Sequence, residues 1–228
     1  SGCSRSNAVR GKVLHLTVKD NVKTADPINA YDEVTLDVLP QTFEALYQFD
    51  YFADKSNAVI PSLAESMPTV SKDKLTYTVK LKKGVRFQDD TCFTATQGKG
   101  RELKAQDFVY SWKRHADPKG ESQGFWIWDG KIKGINDYQK KFSSGKSTSE
   151  LLAEDVEGFH VGDDYTIEIK LTKPYPQLIY ILTNTFTTPV AKEAVEHYGK
   201  DFSAHPVGTG PFMVKTWTPT SKVVFVRN

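Results

Sequence analysis

Five histidines, two cysteines and several neighbouring acids are the side chains with which this 228-residue sequence could do chemistry. His15, His115, His160, His197 and His205 show neither HExxH spacing nor a Cys/His pattern suited to tetrahedral zinc, so no metal site is expected. The adjacent acids Asp89-Asp90, Glu154-Asp155 and Asp163-Asp164 invite comparison with a glycosidase, which needs two facing carboxylates of separated pKa. Sequence neighbours point in different directions, and acids of this kind are ordinary turn residues. Gly208-Thr209-Gly210 begins like a phosphate loop, but Pro211 and Phe212 stand where further glycines or Gly-Lys-Ser/Thr would be needed. No nucleophile elbow is read from the sequence, and neither catalysis nor a cofactor is expected.

Aromatic residues make up 12% of the chain and crowd together at Phe125-Trp126-Ile127-Trp128. As a strand, this stretch would send Phe125 and Ile127 to one side and Trp126 and Trp128 to the other, leaving one pair for a ligand or a second lobe. Two cysteines cannot build a disulfide framework, so Cys92 is expected to be a free thiol. Ser1-Gly2-Cys3 has the form in which a bacterial lipoprotein signal ends, which makes Cys3 the candidate lipid-bearing thiol.

The elements that must position these groups follow from patterning. A chain that is 39% hydrophobic and 25% charged has globular composition, and one this long buries roughly 70 to 75% of its unfolded surface without needing a covalent staple. Thirty Lys plus Arg against 28 Asp plus Glu leave a charge of +2 with no long basic block, which argues against nucleic acid as a partner. No apolar run approaches the roughly 18 residues of a membrane-spanning helix.

Alternation predicts strands at Val13 to Val18 and Lys74 to Leu81, the second with Leu75, Tyr77, Val79 and Leu81 on one face. Leu36, Leu39, Phe43, Leu46 and Tyr47 follow helical spacing, which Pro40 permits if it opens the helix. Ala105, Phe108, Val109 and Trp112 form the apolar stripe of a helix over Ala105 to Arg114, with Gln106, Ser111 and Lys113 toward solvent. Gly162-Asp163-Asp164 reads as a hairpin turn between Phe159–Val161 and Tyr165–Leu171. A helix is expected from Pro174-Tyr175-Pro176 to Leu182, and another capped by Thr188 with Pro189 at its first position and closed by Gly199. Strands at Phe212 to Trp217 and Lys222 to Val226 finish the chain. The absence of strict βαβ alternation favours an α+β arrangement.

Six landmarks carry a resemblance. They are Ala25-Asp26-Pro27, Phe43-Glu44-Ala45-Leu46, Pro61 to Ser66, Leu75 to Phe87, Ala105 to Arg114 and Val207 to Phe212. In this order they resemble the family 5 extracellular solute-binding proteins that serve oligopeptide, dipeptide and nickel ABC transporters. Asp90 replaces a usual glycine, Thr91 to Arg101 looks like an insertion, and Lys104 replaces a Ser/Thr helix cap, leaving end donors to water.

The resemblance implies a periplasmic-binding-protein type II-like fold of which this chain is lobe I with an inserted subdomain, lobe II being absent. Residues 1–38 and 156–228 would form a sheet subdomain and 39–155 the insertion. It also implies that a peptide is held extended between two lobes by backbone hydrogen bonds, and that the closed form is read by permease subunits at the cell envelope. The second lobe, a peptide or other small solute, and the permease are thus the expected partners, with membrane contact only through a lipid on Cys3. The expected first-lobe contacts are Ala30, Tyr31, Asp32, Glu33 and Val34 after Asp26-Pro27, with Phe125, Trp126, Thr185, Phe186 and Thr187 along the cleft wall. This lobe alone is expected to bind peptide negligibly. The rival readings are an oligosaccharide or nickel-chelate binder of the same family, a secreted carbohydrate-active enzyme, and a lipid-anchored adhesion module.

Overall fold

The structure is a computed structural model that describes residues 13–54, 57–218 and 220–228. Its strands are β1 (Tyr47–Phe49), β2 (Val59–Pro61), β3 (Thr69–Val70), β4 (Thr76–Lys80), β5 (Phe159–Asp163), β6 (Thr166–Lys170), β7 (Phe212–Thr218) and β8 (Lys222–Arg227). The helices are α1 (Glu33–Val38), α2 (Ala105–Arg114), α3 (Ile135–Lys141), α4 (Thr148–Ala153), α5 (Leu178–Ile181) and α6 (Lys192–Tyr198). Strands and helices mix without βαβ order, as the α+β expectation has it.

The central sheet runs β3-β4-β6-β5 and is antiparallel throughout. Alternation built it: Tyr77 and Val79 of β4 and Ile167 and Ile169 of β6 are buried on one face, while Thr78 and Glu168 lie opposite. Two of its strands precede residue 155 and two follow it. The apolar stripe of α2 lies on this sheet through Trp112, whose ring meets Phe159 of β5 at 5.2 Å and Trp128 at 5.2 Å between centroids. The hairpins β1-β2 and β7-β8 form separate two-stranded sheets.

Several expectations are corrected. Val13 to Val18 forms no strand: no partner strand lies beside it among the described residues, and Leu14 and Leu16 are exposed. Alternation equips a segment for a ladder, but the ladder needs a second strand. The helix near Pro40 lies earlier, as α1, because the Asp32 carboxylate caps it by accepting from the Thr35 N–H (2.9 Å). Pro40 falls in the 3-10 turn Leu39–Gln41 that ends it, and Phe43 to Tyr47 is not helical.

On α2, Ser111 and Lys113 are buried rather than solvent-facing. Ser111 donates to the Asp107 carbonyl (2.7 Å) and accepts from the Val190 N–H (2.8 Å). The Lys113 ammonium donates to the carbonyls of Leu152 (2.6 Å) and Glu154 (3.0 Å), filling acceptors that the end of α4 leaves open. The start of α2 is also better satisfied than expected. The Asp107 carboxylate accepts the Lys104 N–H (2.8 Å), and the Asp164 carbonyl accepts the Ala105 N–H (2.8 Å). Thr188 caps no helix, since its hydroxyl donates to the Thr185 carbonyl (2.8 Å) and α6 starts only at Lys192. Gly199, at φ +52°, does close α6.

Candidate functional site

Three separate segments expected to face a ligand come together around the last turn of α2. The first starts at Asp26, whose carboxylate caps a 3-10 turn over Pro27–Asn29 by accepting from the Ile28 N–H. Arg114 of α2 grips the same carboxylate at two points (3.0 and 2.5 Å), both side chains being almost wholly buried. This fixes where residues 30–34 emerge. The second segment is joined to the first by main chain: Gln123 N–H donates to the Ile28 carbonyl (2.8 Å), and the Asn29 amide donates to the Gly120 carbonyl (2.7 Å).

Phe125 to Trp128 is not the expected strand. The Gly124 and Phe125 carbonyls accept from the Ile127 (3.1 Å) and Trp128 (2.9 Å) N–H groups, making a 3-10 turn over Phe125–Ile127. The turn puts Ile127 and Trp128 into the core and leaves Trp126 60% exposed. The third segment is another 3-10 turn, Thr185–Thr187, capped by the Asn184 side chain. Trp112 Nε1 donates to the Thr187 carbonyl (2.9 Å), so α2 holds this turn as well.

His115 joins the second and third segments. Its Nε2 lies 2.8 Å from the Phe186 carbonyl and its Nδ1 2.6 Å from Ser122 Oγ. A carbonyl can only accept, so Nε2 carries the proton, and Nδ1 of the neutral ring accepts from the Ser122 hydroxyl. Ser122 Oγ in turn accepts the Gly124 N–H (3.1 Å). Burial keeps this imidazole neutral by pushing its pKa down to about 4. Gly124 is required by the same packing, because a side chain there would begin 2.6 Å from the Phe186 ring and 2.8 Å from His115 Cε1.

Of the expected contact residues, Tyr31, Glu33 and Trp126 are exposed and Asp32, Phe125 and Thr185 are partly so. Ala30, Val34, Phe186 and Thr187 have their side chains in the core. Cys3 lies outside the described residues. Sequence reasoning does not single out His115, Ser122 or the Asp26–Arg114 pair, although one signal is present: Gly120-Glu121-Ser122-Gln123-Gly124 fits G-x-S-x-G, contrary to the expectation that no such string occurs. It is not a nucleophile elbow here. The 3-10 turn Pro118–Gly120 runs into it and the 3-10 turn Phe125–Ile127 follows it, where an elbow needs a strand before and an α-helix after, and a buried histidine of pKa about 4 is a weak general base at neutral pH.

The Gly208-Thr209-Gly210 string serves close packing. Gly210 N–H donates to the Thr42 carbonyl (2.8 Å), and Gln88 N–H donates to the Gly208 carbonyl (2.9 Å). Thr209 donates to the Glu44 carboxyl group, whose pKa burial raises. Among the described residues no group of three metal-binding side chains gathers, and no helix is long and apolar enough to cross a membrane.

Comparison with known proteins agrees with this architecture. A dipeptide-binding protein of Lactococcus lactis subsp. cremoris is 33% identical over 217 residues, covering 92% of this chain and 35% of that protein. A glutathione-binding protein of Escherichia coli O1:K1 is 31% identical over 218 residues, covering 96% of this chain and 35% of its own. OppA of Listeria monocytogenes, solved bound to peptide, superposes with a TM-score of 0.74 at 29% identity, over 93% of this chain and 38% of the other. The chain therefore spans a little over a third of such relatives and has the periplasmic-binding-protein type II-like fold. The profile of the bacterial extracellular solute-binding proteins, family 5 middle, matches residues 58–228, and the chain belongs to that family.

Proposed function

We propose that the wall around α2 is the first-lobe face of a peptide-binding cleft, in an extracytoplasmic solute-binding component of an ABC importer. The observation that carries this reading is the convergence of the segments after Asp26, around Phe125 and around Phe186 on one helix end, in a chain similar to proteins named for dipeptide and glutathione binding and to one solved bound to peptide. Tyr31, Glu33 and Trp126, whose side chains are exposed, would touch the ligand, with the half-buried Asp32, Phe125 and Thr185 beside them. Ala30, Val34, Phe186 and Thr187 contribute backbone and support, since their side chains lie inside.

Main-chain hydrogen bonds to an extended peptide supply affinity that is indifferent to side-chain identity. The ligand stabilises the closed arrangement of two lobes over the open one, and permease subunits read the closed one. Cys3 would carry the lipid anchor. The role proposed is binding rather than catalysis, in keeping with relatives named for what they bind. The test is calorimetry of the protein as its gene encodes it, with di-, tri- and pentapeptides, maltotriose and a nickel chelate. Saturable binding of peptides alone is expected, weakened at least tenfold by Trp126→Ala. Binding of the sugar or the chelate in place of peptides would overturn the reading.

A further inference from the structure

His115 is buried, and it spends both ring nitrogens on the two turns that carry Trp126 and Phe186. The hydrogen bonds run as one directed chain: Gly124 N–H to Ser122 Oγ, Ser122 O–H to His115 Nδ1, and His115 Nε2–H to the Phe186 carbonyl. The ring also meets Phe186 edge-on at 6.0 Å and Trp128 at 6.5 Å. Backbone segments some sixty residues apart are thereby held by a single side chain that is 2% exposed.

We propose that His115 is a positioning residue for ligand binding: as the neutral Nε2–H tautomer it fixes the 122–126 and 184–187 segments relative to each other, and so sets the surface that Trp126 presents. The inference rests on the reading of this wall as ligand-facing. The polar groups against the ring are the Ser122 hydroxyl and the Phe186 carbonyl. The charges in range are Arg114, which opposes protonation, and Asp26, which favours it. A second proton would turn Nδ1 into a donor, reverse the link to Ser122 and place a cation beside Arg114.

The test compares His115→Gln, which keeps one donor and one acceptor, with His115→Leu, which fills space without either. Amide hydrogen exchange is read at Ile127, Trp128, Thr187 and Thr188, whose N–H groups close the two turns, and at the amides of β4 and β6 as the reference. His115→Leu should speed the turn amides about tenfold or more while the sheet amides hold. His115→Gln should restore most of the protection and, unlike the unsubstituted protein, should not lose turn protection as pH falls from 5.5 toward 4. Trialanine affinity should drop about tenfold in His115→Leu and recover in His115→Gln. Equal acceleration at the sheet and the turns, unchanged turn amides, or covalent labelling of Ser122 by a fluorophosphonate would overturn the positioning role. Should trialanine give no heat with the unsubstituted protein as its gene encodes it, the peptide reading fails, and the exchange rates alone decide on His115.

Discussion

Arg114 and Asp26 meet where little water reaches, and their energetics differ from those of the exposed pairs elsewhere on the chain, such as Lys140 with Asp137. An exposed pair contributes about 0 to 1 kcal/mol. Removing one partner of a buried pair strands the other charge and costs about 3 to 5 kcal/mol. Asp26→Ala should therefore lower unfolding free energy by about that amount in urea, more than Asp137→Ala does, and joint replacement of Asp26 and Arg114 by leucine should recover part of the loss. His115 adds a pH dependence whose sign follows from its neutral burial. The unfolded chain takes up a proton as pH falls through 6.5, whereas the folded chain resists until about 4, so acidification across that window favours unfolding. The loss is on the order of 3 kcal/mol. Urea midpoints measured from pH 7 to pH 4 should fall accordingly, and His115→Gln should flatten that part of the profile.

At the scale of elements, α2 was legible to the residue because its stripe, Ala105, Phe108, Val109 and Trp112, has the helical period and Asp117-Pro118 stops it. The pairing of β5 with β6 was equally legible from turn formers between alternating runs. What escaped was decided by partners distant in sequence. Lys113 looks solvated until the open carbonyls at the end of α4 are placed beside it, and four large apolar residues read as a strand until two of them find the core from a single turn. For the candidate site, the segments came from the family resemblance, but the joining of two of them by His115 was not legible, since no local pattern encodes a contact across some seventy residues. Close backbone approach is likewise invisible locally. A methyl group on Gly208 would fall on the Thr42 carbonyl oxygen, which is fixed by its bond to Gly210. Gly208→Ala should therefore destabilise by about 1 to 3 kcal/mol or more, whereas an alanine at Gly162, whose nearest neighbours lie 3.6 Å away, should be tolerated. Thermal midpoints of the two variants decide this.

Across the whole molecule, cohesion rests on one continuous cluster of buried side chains running from Ala25 to Val207. The five-residue ladder from Thr76 with Lys170 to Lys80 with Thr166 ties chain from before residue 155 to chain from after it. Unfolding residues 39–155 alone would break that ladder and expose the faces of Ile167 and Ile169, so no stable intermediate is available along that route. The β7-β8 hairpin is different. Two strands alone are marginal in water, and of this pair Trp217 packs against the core while Val214, Val223 and Phe225 line a small cavity with Val22, Val38 and Leu39. Its amides should exchange well before those of β4 and β6. In a Trp126→Phe/Trp217→Phe background, which silences the exposed indole and the hairpin's own, tryptophan fluorescence then reports the core through Trp112 and Trp128. Its urea midpoint should coincide with that of far-ultraviolet circular dichroism. Two separated midpoints would mean that the halves on either side of residue 155 fold independently, and the shared sheet would then be a docking contact between them rather than the frame that fixes the wall.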